Sequence, residues 1–270
     1  MKWGLIYNNN FEKAFSMAEK ICDFLKDKGD VFTEENYAKK KSIKGYSLED
    51  INKNADIVIT IGGDGTILRA LEKIDKPIFA INSGGMGFLT ESDPENAING
   101  LYQIIDGKYN VEERAKLKVT VDGKRLPDVA NEVTVQTAKI AKMIHLKIFV
   151  DDELLETFGA DGVIVSTSTG STSYSLSAGG PILDPAINAM VITPLAPFKL
   201  STRPWVVPLD KKIGVKLLPK SKDSKIVIDG ESAQSITSDS NIEITSSEKK
   251  ARFVRFGESF YQMVRLKLVR

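Results

Sequence analysis

The chain has 270 residues, with 37 Lys and Arg against 36 Asp and Glu, which gives a formal net charge of +1. Hydrophobic residues make up 42% and charged residues 27%, which is ordinary usage for a folded protein and argues against general disorder. The balanced charge disfavours a strongly basic nucleic-acid-binding protein. The length allows one large domain or two small ones with a buried core.

Cysteine and histidine are scarce, which excludes several kinds of site. One cysteine, Cys22, leaves no intramolecular disulfide and no cysteine-based zinc site, and it suits a reducing compartment. The one histidine, His145, lies in an apolar stretch that predicts a plain strand residue rather than a member of a Ser-His-Asp triad or a zinc site. Residues 1–7 are too short an apolar run for a signal peptide or a membrane span. We therefore expect a cytoplasmic protein whose chemistry rests on carboxylates, hydroxyls, backbone amides and cations.

Strands and helices alternate over the first hundred residues. Buried strands are predicted at three places, residues 3–7, 55–61 and 77–81. Apolar residues from Phe11 to Leu25 repeat at helical spacing, and Asp93-Pro94 predicts the start of a helix that runs towards Ile105. The basic run at 38–44 favours a solvated loop over a cationic loop near phosphates. The alternation predicts an α/β domain with a parallel sheet over residues 1–105.

From about residue 106, short strands and turns replace this alternation. Asp122-Gly123 predicts a hairpin turn, and Asp229-Gly230 is a second turn signal. Strand-like runs lie at 118–121, 132–136, 146–150, 162–166, 213–217, 225–228, 242–245 and 252–256. The pattern predicts a β-rich, β-sandwich-like domain over residues 106–250, followed by a C-terminal segment, 251–270.

A glycine loop, Gly62-Gly63-Asp64-Gly65-Thr66, follows a predicted strand and precedes a predicted helix. Glycines let the backbone approach a ligand, and the N–H groups of such a loop can bind phosphate oxygens. A carboxylate would repel phosphate, so we expect Asp64 to accept a proton from an attacking hydroxyl, or to hold Mg²⁺ through water. A helix cap is the structural alternative. The Walker A pattern is missing, and no G-x-G-x-x-G follows the first strand.

Two further segments and one dipeptide carry polar groups suited to a nucleotide. A second glycine loop, residues 82–89, follows the next strand, and in a parallel sheet it would lie beside the first loop. Residues 166–180 are dense in hydroxyls that can bind a base or a sugar, and Tyr174 can stack on a ring. Backbone capping does not explain so long a polar run. Asn131-Glu132 could bind an adenine edge and ribose hydroxyls, although the dipeptide alone is weak evidence.

Together these motifs, with Asp161-Gly162, Ser201-Thr202-Arg203-Pro204 and Asp229-Gly230, resemble the NAD kinase family over most of the chain. The resemblance implies a phosphate-binding α/β domain, a β-sandwich-like NAD-binding domain and a C-terminal segment that returns to the first domain. It implies phosphoryl transfer from ATP or polyphosphate to the 2′-hydroxyl of the adenosine ribose of NAD, giving NADP. It also implies that Mg²⁺ arrives with the donor and that the chain forms a homodimer or homotetramer. No nucleic-acid or membrane partner is expected.

The resemblance also assigns roles to residues of this chain. Asp64 matches the family's catalytic, proton-accepting aspartate. The other matching positions are Gly65 and Arg69 near the nucleotide phosphates, Asn131 and Glu132 at adenine and ribose, Asp161 in the nicotinamide region, Thr172, Ser173, Tyr174 and Ser177 in the adenosine loop, and Lys142 and Ala196 lining the site.

The chain departs from the family pattern at three positions. Ser173 replaces a common Ala, Gly159 a common basic residue and Glu231 a common Gln. A lipid or sugar kinase built on the same glycine loop and a nucleotide sensor without turnover are the rival interpretations.

Overall fold

Two units make up the fold of the computed structural model, which describes residues 1–84, 87–219, 221, 223–257 and 260–268. The first unit comprises Met1–Glu113 together with Ala251–Arg270, and the second comprises Arg114–Lys250. Gly85 and Met86 of the second glycine loop lie outside the described residues.

The first unit alternates strands and helices along the chain. Its strands are β1 (Lys2–Tyr7), β2 (Asp30–Thr33), β3 (Ile57–Gly62) and β4 (Ile78–Asn82). Its helices up to this point are α1 (Glu12–Leu25), α2 (Glu35–Lys41), α3 (Leu48–Asn54), α4 (Asp64–Leu71) and α5 (Ala97–Ile105). The strands run parallel in the order β2-β1-β3-β4, which confirms the predicted parallel α/β layer.

The parallel sheet is buried on both faces, as its almost continuously apolar strands require. Trp3 and Leu5 belong to a core that includes residues of α1 and α5. Gly4 points to the opposite face, where a Cβ would lie 2.5 Å from Cγ2 of Ile51 in α3. Helices on both faces leave the carboxyl edge of the sheet as the place where loops gather.

Two local predictions for the first unit are wrong. The helix predicted from Asp93 begins at Ala97, because Asp93 Oδ1 instead accepts the amide of Asn96 at 2.8 Å in a turn. The basic run is helical up to Lys41 rather than a loop, and Lys41 forms an ion pair with Glu19 at 2.7 Å. The contact of Asp93 with Asn96 is local, whereas that of Lys41 with Glu19 is tertiary and cannot be read from local composition.

The second unit consists almost entirely of strands. They are β5 (Asn110–Val121), which begins in the first unit, β6 (Lys124–Arg125), β7 (Glu132–Thr137), β8 (Ile144–Val150), β9 (Glu153–Ala160), β10 (Gly162–Thr167), β11 (Ala189–Leu195), β12 (Trp205–Pro208), β13 (Ile213–Leu217), β14 (Ser224–Ile228), β15 (Ser232–Ile236) and β16 (Ile242–Arg255). A 3₁₀ helix (Thr169–Thr172) and the short helix α6 (Tyr174–Ser177) follow β10.

An antiparallel sheet of order β12-β11-β10-β7-β14-β15 forms one layer of this unit. A second antiparallel array, β16-β13-β8-β9, faces it, and residues from both contribute to one core. The predicted β-sandwich-like architecture is confirmed. His145 lies within β8, as the apolar pattern around it predicted.

The end of the chain returns to the first unit. Phe253 of β16 pairs in parallel with Ile78 of β4, and helix α7 (Phe260–Leu268) follows. Glu91 accepts the amide of Phe256 at 2.7 Å and pairs with Arg255 at 2.8 Å, which ties this last strand to the loop after β4. Within the described residues, no helix is long and apolar enough to cross a membrane.

Candidate active site

The first glycine loop is the turn between β3 and α4, and its glycines serve two purposes. At Gly62 a Cβ would lie 2.2 Å from Thr66 Oγ1, so glycine is needed there for packing. At Gly63 and Gly65 a Cβ would meet nothing within 4 Å, and neither residue has a positive φ. The fold itself does not demand glycine at these two positions. Open space over the backbone at a helix N-terminus is what a bound phosphate group requires.

Asp64 is the first residue of α4, and its carboxylate holds the second glycine loop. Oδ2 accepts the amide of Phe88 at 2.8 Å, and Oδ1 accepts the amide of Leu89 at 3.1 Å. Gly87 lies so close that a Cβ there would be 2.7 Å from Asp64 Oδ1. The two glycine loops therefore meet through this carboxylate, as their shared edge of the sheet predicted.

These two contacts give Asp64 a structural role that the sequence did not suggest. The side chain does not cap its own helix, since Gly63 is the N-cap and α4 has no side-chain cap hydrogen bond. An ionised carboxylate has about four lone-pair positions, so two amide contacts leave room for a substrate hydroxyl. Asp64 is half-buried and suited both to fix the loop and to accept a proton.

A cavity of about 250 Å³ opens beside the same edge of the sheet. Its lining includes Ile61 near the end of β3, and Asn82 and Ser83 at the end of β4. Lys13 and Lys20 of α1 also line the cavity and make it suited to an anionic group.

Arg69, predicted near the phosphates, is bound to protein groups in the structure. Its Nη1 and Nη2 donate to the two carboxylate oxygens of the buried Glu34 at 2.5 and 3.1 Å. Nη2 also donates to the carbonyl oxygen of Tyr7 at 3.3 Å. This bidentate pair ties α4 to the segment before α2, so the structure does not present the guanidinium as a dedicated phosphate ligand.

The donor set does not form a resident metal site among the described residues. No group of three or more His, Cys, Asp or Glu side chains there could hold a metal ion. Mg²⁺ commonly binds through one or two carboxylates together with substrate phosphates. One carboxylate, Asp64, beside an open phosphate-sized turn fits a metal ion that arrives with the donor.

In the second unit, Asn131 and Glu132 form a buried corner at the start of β7. The carboxylate of Asp229 accepts three backbone amides here, from Ala130 at 2.8 Å, Asn131 at 2.8 Å and Glu132 at 3.0 Å. From the other side, Gly170 packs so tightly that a Cβ would lie 2.1 Å from the carbonyl oxygen of Asn131. The backbone of the corner is thus held on two sides.

Glu132 has the most informative electrostatic environment of the predicted site residues. Burial and the nearby charge of Asp229 raise the pKa of Glu132 to about 7, while hydrogen bonds from the Ser173 hydroxyl and the Tyr174 amide act in the opposite direction. Its buried Oε2 has no hydrogen-bond partner within the part of the chain that the structure describes. A buried carboxyl with this pKa marks a candidate functional residue.

The hydroxyl-rich segment divides into structural and exposed groups. Four of its hydroxyls are buried and bond to nearby protein groups: Thr167 to Ala130 O at 2.7 Å, Ser168 to Ala189 O at 3.2 Å, Ser171 to Ser168 O at 2.7 Å, and Ser175 to Thr193 at 2.8 Å. Backbone contacts therefore explain three of these hydroxyls, contrary to the prediction, and a side-chain contact explains Ser175. Thr172 bonds locally to Thr169 O at 3.2 Å and is half-buried.

The remaining predicted residues lie at accessible positions of the second unit. Tyr174 is 41% exposed at the start of α6, and Ser177 is exposed at its end. Asp161 lies between β9 and β10 with an exposed side chain, although its backbone amide bonds to Leu195 O at 2.9 Å. Ala196 is exposed and has a φ of +47°, a conformation that costs an Ala side chain energy. Lys142 lies in the exposed loop between β7 and β8.

The structure explains one departure from the family pattern and accommodates another. The Ser173 hydroxyl lowers the pKa of Glu132, an effect that an Ala could not have. At Gly159 a Cβ would lie 3.0 Å from Met143 Sδ and 3.3 Å from His145 Nε2, so neighbouring side chains would shift slightly to admit a larger residue. Nothing in the structure explains Glu231, which is exposed.

Sequence reasoning missed the role of Asp229 at this site. It identified Asp229-Gly230 as a turn and as part of the family resemblance, with no role for Asp229, and the turn is present, with φ values of +47° and +75°. The sequence did predict the short strand before this turn, β14. Its pairing with β7, which brings the turn to Asn131, joins residues about a hundred positions apart and cannot be predicted from a local pattern.

Comparisons with known proteins agree with this architecture. Residues 3–109 match the model of the ATP-NAD kinase N-terminal domain, and residues 130–256 match that of the ATP-NAD kinase C-terminal domain. NAD kinase of Methanothermobacter thermautotrophicus is 43% identical over 100% of this chain and 96% of the relative. NAD kinase of Thermococcus kodakarensis is 40% identical over 99% of each chain.

Solved structures show the same relationship. The crystal structure of an NAD kinase from Archaeoglobus fulgidus in complex with ATP has a TM-score of 0.83 and 30% identity, covering 98% of this chain and 99% of that one. Yeast NADH kinase complexed with NADH has a TM-score of 0.92 at 23% identity, covers 100% of this chain and 87% of that one, and shows the shared fold. The chain belongs to the NAD kinase family.

Proposed function

We propose that this chain transfers a phosphoryl group from Mg-ATP or polyphosphate to the 2′-hydroxyl of the adenosine ribose of NAD, with Asp64 as the proton acceptor. The observation that carries the proposal is the turn between β3 and α4. It combines a carboxylate with two glycines, Gly63 and Gly65, that have open space above them. Holding the second glycine loop uses two hydrogen bonds of that carboxylate, and its remaining lone pairs can serve a hydroxyl that attacks phosphorus and needs a proton acceptor.

The proposed step is an in-line displacement. The 2′-hydroxyl oxygen forms a bond to the terminal phosphorus, and the bond from that phosphorus to its bridging oxygen breaks. The hydroxyl proton passes to Asp64, and ADP or a shortened polyphosphate leaves with the magnesium ion. Lys13 and Lys20, which line the cavity beside the turn, are suited to the charge of the donor phosphates.

The second unit supplies the groups that would bind the adenosine of NAD. Glu132 can accept hydrogen bonds from the ribose hydroxyls, and Asn131 can pair with the adenine edge. Tyr174 offers a ring for stacking. We place Asp161 at the nicotinamide end, in line with the family resemblance. The stacking role gives the exposed Tyr174 a purpose that backbone capping does not.

The direct test is formation of NADP. The purified protein is incubated with NAD, Mg²⁺ and either ATP or polyphosphate, and NADP is detected with an NADP-specific dehydrogenase. We expect NADP with at least one donor, and none when Mg²⁺ is removed with a chelator. NAD binding without NADP from any donor would favour a sensor, and no NAD binding would favour a lipid or sugar kinase.

We also propose that the chain works as a homo-oligomer in the cytoplasm. Exposed apolar side chains gather near Gly159: Phe198, whose amide donates to Gly159 O at 2.9 Å, is 79% exposed, and Leu200 is 88% exposed. A second copy of the chain is the expected occupant of this surface. Light scattering should give the mass of a dimer or tetramer, and a double substitution of Phe198 and Leu200 by Asp should lower it. The same change at the exposed Ile43 of the first unit is the control, and cell fractionation tests the location.

A further inference from the structure

Asp229 is a half-buried residue at the turn between β14 and β15. Its Oδ1 accepts the amides of Asn131 at 2.8 Å and Glu132 at 3.0 Å, and its Oδ2 accepts the amide of Ala130 at 2.8 Å. The Asp229 amide in turn donates to Glu132 O at 3.0 Å. One residue thus makes four hydrogen bonds to a three-residue segment about a hundred positions earlier.

A turn alone does not require these contacts, as a second Asp-Gly turn in the same unit shows. Asp122-Gly123 joins β5 to β6 with φ values of +52° and +77°, close to +47° and +75° at Asp229-Gly230. Asp122 Oδ1 accepts one amide, that of Asn241, at 2.7 Å, and the residue is exposed. The two turns have similar φ values, but Asp229 is half-buried whereas Asp122 is exposed.

Burial of a carboxylate is costly unless its oxygens are well hydrogen-bonded. Burial raises the pKa of Asp229, and the three amide hydrogen bonds and the charge of Lys116 oppose that rise. The negative charge of Asp229 contributes to the raised pKa of Glu132. An aspartate at this position raises the pKa of Glu132 and is itself costly to bury. Its presence indicates that the corner needs both carboxylate oxygens of Asp229 as acceptors.

We propose that Asp229 is a positioning residue for NAD, holding the backbone of residues 130–132 so that Asn131 and Glu132 face the adenosine. The inference rests on the proposed function, because it assumes that NAD is the ligand of this corner. Asp229 touches no substrate in this account. It acts through three amides that would otherwise be unpaired at the irregular start of β7.

Asp229→Asn is the test variant, because Asn tolerates a positive φ as well as Asp does. The Asn oxygen can keep two amides, but its NH₂ group then faces the third amide, donor against donor. We expect the Kd for NAD to rise about 10- to 100-fold, the change that losing a hydrogen bond to a charged group gives. We expect kcat at saturating NAD to stay within about threefold. Asp122→Asn, made in the matched turn, should leave both values unchanged.

The pH dependence of NAD binding separates positioning from general structural damage. Among the described residues, the groups that face Glu132 are Asp229, the Ser173 hydroxyl and the Tyr174 amide, with Lys116 acting on Asp229. Affinity should increase with pH as Glu132 ionises, with a midpoint near 7 in the unaltered protein. Asp229→Asn removes a repelling charge and should lower this midpoint. Ser173→Ala removes a stabilising hydrogen bond and should raise it.

Opposite shifts in these two variants, with an unshifted Asp122→Asn, support the proposal. An unchanged Kd for NAD in a folded Asp229→Asn protein overturns it, even when the protein makes NADP normally. If the unaltered protein neither binds NAD nor makes NADP, the proposed function itself has failed.

If Asp229→Asn does not fold, amide hydrogen exchange in the unaltered protein tests the proposal instead. The amides of residues 130–132 should exchange as slowly as those within β7, and exchange at the rate of exposed loops overturns the proposal.

Discussion

Asp64→Asn is the substitution that tests the proposed chemistry most directly. A positioned general base contributes about 10²- to 10⁴-fold to a rate, so turnover should fall by that factor. The structure adds a second effect, because Asp64 accepts the amides of Phe88 and Leu89 with its two oxygens. An Asn must turn its NH₂ group towards one of these amides. Since a hydrogen bond to a charged group contributes about 1.5–3 kcal/mol, we expect the free energy of unfolding to fall by about 2 kcal/mol.

The two effects are measured separately in the same variant. Steady-state kinetics gives kcat, calorimetric titration gives the affinity for NAD, and denaturant unfolding gives stability. If Asp64 accepts the proton, kcat falls at least 100-fold while the Kd for NAD changes less than about threefold. If Asp64 only holds the loop, stability falls, the KM for the donor rises and kcat at saturation changes little. Turnover within threefold of the unaltered enzyme at saturating substrates would refute the proton-acceptor role.

Asp56→Asn is the matched control for this experiment. Asp56 Oδ2 also accepts a backbone amide, that of Lys2 at 2.8 Å, but Asp56 precedes β3, whereas Asp64 follows it. Asn can keep this single amide contact through its own oxygen, so the substitution removes a carboxylate charge at the opposite edge of the same sheet without facing an NH₂ group against an amide. A small loss of stability with unchanged kcat is expected. A large fall in kcat here would show that distortion of the sheet, rather than the chemistry of Asp64, lowers the rate.

Three further predictions concern single side chains. Tyr174→Ala should weaken NAD binding by ~1–3 kcal/mol if the ring stacks on adenine, whereas Tyr174→Phe should bind normally in the same titration. Because the folded state raises the pKa of Glu132 from 4.5 to about 7, this carboxyl contributes stability that is complete below pH 4.5 and is lost as pH rises through about 7. Urea unfolding between pH 4 and about 8 should show that slope, and Glu132→Gln should remove it. Arg69→Lys should cost about 1 kcal/mol of unfolding free energy through the lost bidentate pair with Glu34, with little change in donor KM. A tenfold rise in donor KM at unchanged stability would instead show that Arg69 binds phosphate.

The first unit was largely predictable because its signals are local. Buried strands such as 57–62 are continuous apolar runs, and the glycine turn after them is a compact motif. The helix at Ala97 was placed too early because Asp93-Pro94 is a good N-terminal signal that the chain uses for a turn instead. The contacts of the basic run at 38–44, such as that of Lys41 with Glu19, join residues 22 positions apart, beyond the reach of local pattern.

The second unit was predictable as a class but not in its contacts. Alternation and Asp-Gly turns indicated short antiparallel strands, and the pairing of β7 with both β10 and β14 could not be derived from them. The pairing of β10 with β7 and with β11 brings together the groups that make some hydroxyls structural. Ser175, for example, bonds to Thr193 on β11 and is unavailable to a ligand, whereas Ser177, two positions later, is exposed. Composition treats the two serines alike, and only the fold separates them.

Each of the two units contains an aspartate that accepts backbone amides from a distant loop. Asp64 reaches 24 and 25 positions along the chain to Phe88 and Leu89, and Asp229 reaches 97 to 99 positions back to residues 130–132. Both target loops have irregular backbone, whose amides have no ladder partner and must be paired in another way. A carboxylate suits this task because both of its oxygens accept, whereas an amide side chain would present a donor to a donor. Asp→Asn hardly changes the size of the side chain. At each of these two positions it should nevertheless lower the stability of the bound loop, because it places a donor opposite a backbone amide.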